Sequence, residues 1–307
     1  MYKIEKFRIF SWGVLFFNVA VVLWGAYVRA TGSGAGCGSH WPLCNGEVVP
    51  RSPQIGTVIE FAHRLSSGLA LILVVSLFFW AWRAFPRKHP VRMGASLSLV
   101  FIITEALVGA ALVLFAWVAQ DESLGRVISI AVHLINTFLL LASITLTAWW
   151  STGAKPVRLE GGGRKAWMLL AGLAGVLLIG VTGAITALGD TLYPSASLAE
   201  GLQQDFSGTA HFLIRLRIYH PIIAVLVSGL IGLIVYQTLR SGRDAWVRRF
   251  SAILGTIIIL QLSAGLLNVF LLAPVWMQLV HLFLADALWI SLIILAAAIL
   301  AQKEEMN

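Results

Sequence analysis

The chain has 307 residues, 59% of them hydrophobic and 12% charged, where soluble domains hold about 45–50% and about 25%. With a mean hydropathy of +0.87, these figures exclude a soluble globular protein and make lipid the main solvent. The net charge of +8, from 22 Lys and Arg against 14 Asp and Glu, would suggest nucleic acid in a soluble chain. Here the cations collect at the edges of apolar runs, and no nucleic-acid partner is expected.

Long apolar runs occur at about 9–28, 60–82, 93–118, 127–150, 166–188, 212–239, 249–272 and 276–301. Each is long enough to cross a ~30 Å hydrocarbon layer as a helix, and none has the period-2 alternation of a membrane barrel. An all-α integral membrane protein with eight transmembrane helices is predicted. The first run is too long, and its flank GAYVRATGSG too unlike a small-residue cleavage site, for a removed signal peptide; it is retained as span 1.

Positive charge falls in alternate connections. Lys3, Lys6 and Arg8 precede span 1; Arg83, Arg87, Lys88 and Arg92 follow span 2; Lys155, Arg158, Arg164 and Lys165 follow span 4; Arg240, Arg243, Arg248 and Arg249 follow span 6; Lys303 follows span 8. These are sixteen of the 22 cationic residues, and the positive-inside rule makes their face cytoplasmic. The expectation is a multi-pass protein of the cell membrane with both termini inside. Connections 29–59, 119–126, 189–211 and 273–275 then lie outside.

The two halves align. Gly25 matches Gly183, His63 matches His220, Gly109 matches Gly265 and His133 matches His281, at offsets of 158, 157, 156 and 148. The final drop equals the length missing between spans 7 and 8 relative to spans 3 and 4. A duplicated four-helix unit crosses the membrane in the same direction twice. The expected architecture is two tandem four-helix bundles, residues 1–155 and 156–307, related by a pseudo-two-fold axis along the membrane normal.

His63, His133, His220 and His281 fall near the outer ends of the even-numbered spans. A lone intramembrane histidine is more often a packing residue; two per repeat at one depth point to a site. Two neutral imidazoles on facing helices can hold one iron from opposite sides, whereas zinc asks for four ligands, or three and a water. Haem therefore fits better than zinc. Phe61, Trp276 and Trp289 are candidates to line a porphyrin, although interfacial Trp is the plainer explanation. His211 competes with His220, but choosing it breaks the offset pattern. His40 and His89 lie in loops, His89 as a solvated cytoplasmic residue.

Glu60 precedes His63 by three residues on one helical face, and Arg217 stands at the equivalent place in the second half. This asymmetry suggests one site for chemistry and one for a resident cofactor. Glu60 is a candidate proton carrier, with a salt bridge to Arg64 or another outer arginine as the alternative. The two cysteines, Cys37 and Cys44, occur in GCGSHWPLCNG on the oxidising face. A structural disulfide is the natural reading, with a redox-active pair or metal binding together with His40 as alternatives.

VRATGSGAGCGSHWPLCNG after span 1, EFAHR in span 2, AVHLINTFLL in span 4 and LVHLFLADALW in span 8 resemble haem A synthase, the bacterial and mitochondrial enzyme of cytochrome oxidase assembly. The resemblance covers nearly the whole chain. It implies oxidation of a ring methyl of haem O to a formyl group, through a hydroxymethyl and then a dihydroxylated carbon that loses water. It further implies that the N-terminal half, with Glu60, His63 and His133, holds the substrate, and that His220 and His281 in the C-terminal half hold a haem b. Haem O synthase is a partner by the same implication. Two departures are visible: no second outer cysteine pair in the C-terminal half, and His40 where the family commonly has Asp before Trp-Pro.

Two other functions compete: a diheme cytochrome carrying electrons from quinol, and a haem transporter built on parallel repeats. Four histidines at one face argue against a wire across the membrane, and Glu60 in one half argues against two equivalent haems. Arg64, Arg126, Arg215 and Arg217 are the outer candidates for pairing with propionates. The oligomeric state and the electron-transfer partner are left open.

Overall fold

The computed structural model describes residues 2–157, 163–241 and 244–301. Arg158, Arg243 and Lys303, three of the cations assigned to the cytoplasmic face, lie outside the described residues. The long elements are all helices: α1 (Tyr2–Ala30), α2 (Ile55–Ala84), α3 (Pro90–Leu114), α4 (Leu124–Ser151), α5 (Gly163–Leu192), α6 (Leu198–Asp205), α7 (Phe212–Leu216), α8 (Tyr219–Arg240), α9 (Ala245–Phe270) and α10 (Val275–Leu300). Eight helical segments are long and apolar enough to cross a membrane, α7 and α8 forming the sixth together. The protein is a multi-pass membrane protein.

Local chemistry sets the helix ends. Ser123 caps α4 by accepting from Arg126 N at 3.2 Å, and Ser197 caps α6 by accepting from Glu200 N. His89 is not the freely solvated residue expected from its loop position. Its Nδ1 accepts from Val91 N at 3.3 Å ahead of Pro90, the first residue of α3, and its ring packs on Phe85. Partial burial lowers the His89 pKa and keeps this acceptor lone pair available.

The sixth span is broken between α7 and α8 at Arg217–Ile218, just ahead of Pro221, which sits in the first turn of α8 where its missing N–H is not needed. The connection 189–211 also carries a helix of its own, α6. Its mixed polar sequence LAEGLQQD gave no apolar run to detect.

α3 and α9 end in the same way, 156 residues apart. Trp117 N donates to Leu112 O and Ala116 N to Val113 O; Ala273 N donates to Asn268 O and Leu272 N to Val269 O. Both ends are Schellman caps, with Ala116 (φ 55°) and Leu272 (φ 59°) in the left-handed position. A residue other than glycine costs about 1 kcal/mol or more there. The repetition of that strained choice supports the duplication read from the matched glycines and histidines.

α1 to α4 pack as one ring of neighbours, and α5, α8, α9 and α10 as another; the rings meet where α1 and α4 face α5 and α10. Half or more of the most apolar windows of α4 and α10 are buried (50% and 56%), against 17–28% for the other spans. These two helices form the centre and the rest present apolar faces to lipid. Trp289 lies at this seam, 2% exposed, stacked on Phe138 at 5.3 Å and donating Nε1–H to Phe138 O at 2.7 Å. It is therefore a bond between the halves, neither the interfacial Trp that the sequence favoured nor the porphyrin-lining residue it offered as a candidate. Arg29 makes a second link at the C-terminal end of α1, donating to Ala187 O (2.7 Å), Thr191 Oγ1 (2.9 Å) and Gln278 Oε1 (2.9 Å).

Candidate haem sites

The four matched histidines and the matched glycines are direct neighbours. A Cβ on Gly25 would meet His63 Cε1 at 2.9 Å, one on Gly183 would meet His220 Cε1 at 2.9 Å, and one on Gly265 would meet His281 Cε1 at 3.0 Å. Gly109 faces His133 with more room, at 3.9 Å. Each imidazole thus lies against the bare backbone of the preceding odd-numbered span, which fixes where the ring can sit.

In the C-terminal half the His220 and His281 rings are 6.4 Å apart, their planes at 85°. Two imidazoles on opposite sides of one metal, each bound at ~2 Å, have their centres roughly 6 Å apart. Thr182 Oγ1 lies 3.2 Å from His220 Nδ1, and Gln261 Nε2 lies 3.4 Å from His281 Nε2. His281 Nδ1 is buried without a hydrogen bond among the described residues, and a buried polar atom of this kind is suited to a ligand. The ring separation fits two imidazoles sharing one metal, so His220 and His281 would be the residues to hold a haem iron. His211 is elsewhere: it caps α7 by accepting from Leu213 N and packs between Tyr193 and Phe212.

In the N-terminal half His63 Nδ1 is likewise buried and unpartnered among the described residues. His133 has a neighbour that the sequence reading missed: Glu105 Oε1, from α3, lies 3.3 Å from His133 Nδ1. This is ion-pair distance, with the ring not aligned for a hydrogen bond. Asn136 Nδ2 and Thr137 Oγ1 donate to the same carboxylate.

Glu60 is 3% exposed and fully engaged on one side. Its Oε2 accepts from Cys37 N at 2.7 Å, and its Oε1 accepts from Arg64, whose Nη1 also donates to His40 O and Leu43 O at 2.6 Å each. The Arg64 ion pair left open by the sequence is present. Cys37 and Cys44 are joined in a disulfide, and Thr57 Oγ1 donates to Gly36 O at 2.7 Å. Gly36 passes so close to Gly56 that a Cβ would lie 2.5 Å from its carbonyl carbon. Loop and helix α2 are therefore stitched together beside the EFAHR segment.

The family model described as cytochrome oxidase assembly protein, COX15-CtaA, matches residues 8–293. The chain belongs to this family. A Thermus thermophilus protein named protoheme IX farnesyltransferase is 52% identical over 270 residues, 88% of this chain and 44% of that protein. The heme A synthase of Halalkalibacterium halodurans is 40% identical over 128 residues (42% of this chain, 40% of that protein), and that of Bacillus mycoides 47% over 97 residues (32% and 31%). The chain spans less than half the length of these curated relatives.

Within this COX15-CtaA chain, three of the four arginines expected to meet propionates are already committed. Arg64 holds Glu60 and the loop; Arg126 Nη1 donates to Ala119 O and Asp121 O; Arg217 pairs with Asp190 at 2.9 Å and Asp205 at 2.8 Å. Arg215 is exposed and, among the described residues, makes no such bond. A second group missed from the sequence is Asp286, fully buried in α10 with neither carboxylate oxygen bonded among the described residues. Both Glu105 and Asp286 were legible as ionisable residues inside apolar runs, which is itself the signal.

Proposed function

We propose that this chain is a haem A synthase, oxidising a ring methyl of haem O to a formyl group. The observation that supports it most is the facing His220–His281 pair at 6.4 Å, repeated in sequence by His63 and His133, in a chain of the COX15-CtaA family. In this reading residues 156–307 hold a haem b through His220 and His281, and residues 1–155 take haem O between His63 and His133. A bound haem b supplies a one-electron carrier beside the substrate.

The protein's own groups then have distinct tasks. The glycines at 25, 183 and 265 set the positions of the His63, His220 and His281 rings, and Arg215 offers a guanidinium to a propionate. The disulfide loop covers the outer mouth of the N-terminal site. Glu60 anchors that loop, and because Oε2 accepts only from Cys37 N and keeps a second lone pair, it can take up protons released by methyl oxidation where lipid excludes bulk water. Both termini are cytoplasmic and the imidazoles lie toward the outer face. The Thermus relative's name supports a place next to the prenylation that makes haem O, with haem O synthase as a partner.

The test is pigment extraction from membranes expressing this protein with a supply of haem O. Appearance of a formyl haem supports the reading. Prenylation of protohaem without formyl formation would assign a farnesyltransferase, and unaltered haem O on a protein holding two haems would assign an electron-transfer cytochrome.

A further inference from the structure

Glu105 and Gln261 occupy the same place in the two repeats. They are 156 residues apart, as are Gly109 and Gly265, and each lies one helical turn before the glycine that faces the histidine of the next span. Glu105 Oε1 is 3.3 Å from His133 Nδ1, and Gln261 Nε2 is 3.4 Å from His281 Nε2. One half thus presents a carboxylate to its imidazole and the other a neutral amide.

The difference extends beyond one residue. Glu105 accepts from Asn136 and Thr137; at the offset relating His133 to His281, these positions are Leu284 and Ala285. The second half has lost the acid and both donors together. The first half keeps a carboxylate with two donors, Asn136 and Thr137, and the His133 ring at ion-pair distance, surroundings suited to an anion.

We propose that Glu105 is a positioning residue that makes His133 a more strongly electron-donating ligand, so that the N-terminal iron site has a lower reduction potential than the C-terminal one. The inference rests on the function proposed above. An anionic partner on one imidazole nitrogen fixes the tautomer, turns the other nitrogen toward the metal and raises its basicity, which favours ferric over ferrous iron. A neutral amide beside His281 does this far less. The two halves thereby acquire unequal potentials from a single Glu-for-Gln difference, with their histidines and glycines unchanged.

The test is an optical redox titration of the purified, haem-loaded full-length protein, with the C-terminal component identified by its disappearance in His281→Ala. Glu105→Gln is expected to raise the N-terminal midpoint and leave the other in place, and Gln261→Glu to lower the C-terminal midpoint. Unchanged midpoints in Glu105→Gln with both haems retained would overturn the inference and leave the haem A synthase reading intact. If Glu105→Gln does not fold, Gln261→Glu decides: no downward shift overturns the inference. Unaltered protein that binds no haem through either histidine pair would instead overturn the functional reading.

Discussion

Gly183 stands so close to His220 that a side chain there would come within 2.9 Å of the ring, and the ring of His281 lies 6.4 Å further on. The position of an imidazole is thus set by the absence of a methyl group on the neighbouring helix. Gly183→Ala is expected to displace His220 and weaken haem retention roughly ten- to hundredfold, the range for disturbed support around a ligand. Gly109→Ala, whose Cβ meets His133 only at van der Waals distance (3.9 Å), is expected to retain its haem. The absorbance spectra of the two purified variants check the contrast.

Arg215 and Arg217, two residues apart, are expected to fail in different ways. Arg217→Ala leaves Asp190 and Asp205 facing each other without their cation, and removing one partner of such a largely buried group costs about 3–5 kcal/mol. A lowered unfolding midpoint in detergent is the expected outcome. Arg215→Ala is expected to leave that midpoint in place and weaken binding of haem while sparing a haem analogue without propionates. Equal affinity for both ligands would remove Arg215 from propionate recognition.

The loop over the N-terminal half gives a third comparison. Breaking the Cys37–Cys44 bond by Cys44→Ser is expected to cost about 2.5 kcal/mol on the chain-entropy model. Gly36→Ala is expected to be at least as damaging, because the added carbon meets backbone rather than a movable side chain. Chemical unfolding of both variants checks the order, and a non-reduced digest of the unaltered protein should yield the linked peptides.

Orientation is tested by single-cysteine labelling from outside, in a background lacking the disulfide pair. A cysteine placed at 199 to 203 in α6 should react, and one at Arg87 or Lys165 should not. The reverse pattern would invert the topology inferred from the cationic connections.

Replacing Glu60 by Ala is expected to preserve the C-terminal haem spectrum and stop formyl formation, leaving haem O or its hydroxymethyl derivative in extracted pigments. Because Glu60 also holds Cys37 N and Arg64, Glu60→Gln separates the two roles. A neutral amide keeps an acceptor for Cys37 and abolishes proton uptake. Normal haem A content in Glu60→Gln would restrict Glu60 to anchoring the loop.

The eight spans were legible because lipid imposes one crude requirement, about twenty apolar residues in a row. The four histidines were legible because they recur with their glycines at nearly constant offsets. Glu105 escaped the same comparison because its counterpart is Gln261, and a search for matching residues passes over the position where the halves diverge. The pairing of Arg64 with Glu60 was legible as a salt bridge four residues along one helix, but the commitments of Arg126 and Arg217 were not, since Arg126 bonds carbonyls of the 115–123 connection and the Asp190 and Asp205 partners of Arg217 sit on α5 and the polar helix α6, whose placement no hydropathy pattern describes. The break at Arg217–Ile218 lies just before Pro221, in the stretch of the sixth run that also carries Arg215, Arg217 and His220.

Among the described residues, the seam between the halves carries three directional bonds from Arg29 at the C-terminal end of α1 and one from Trp289 between α4 and α10. A carrier that exposes its cargo first to one side and then to the other must slide or tilt such a seam on every stroke. Here each stroke would strip a guanidinium and an indole of their acceptors where no water replaces them. These bonds instead tie α1 to α5 and α10, and α4 to α10, and so oppose sliding of one half past the other.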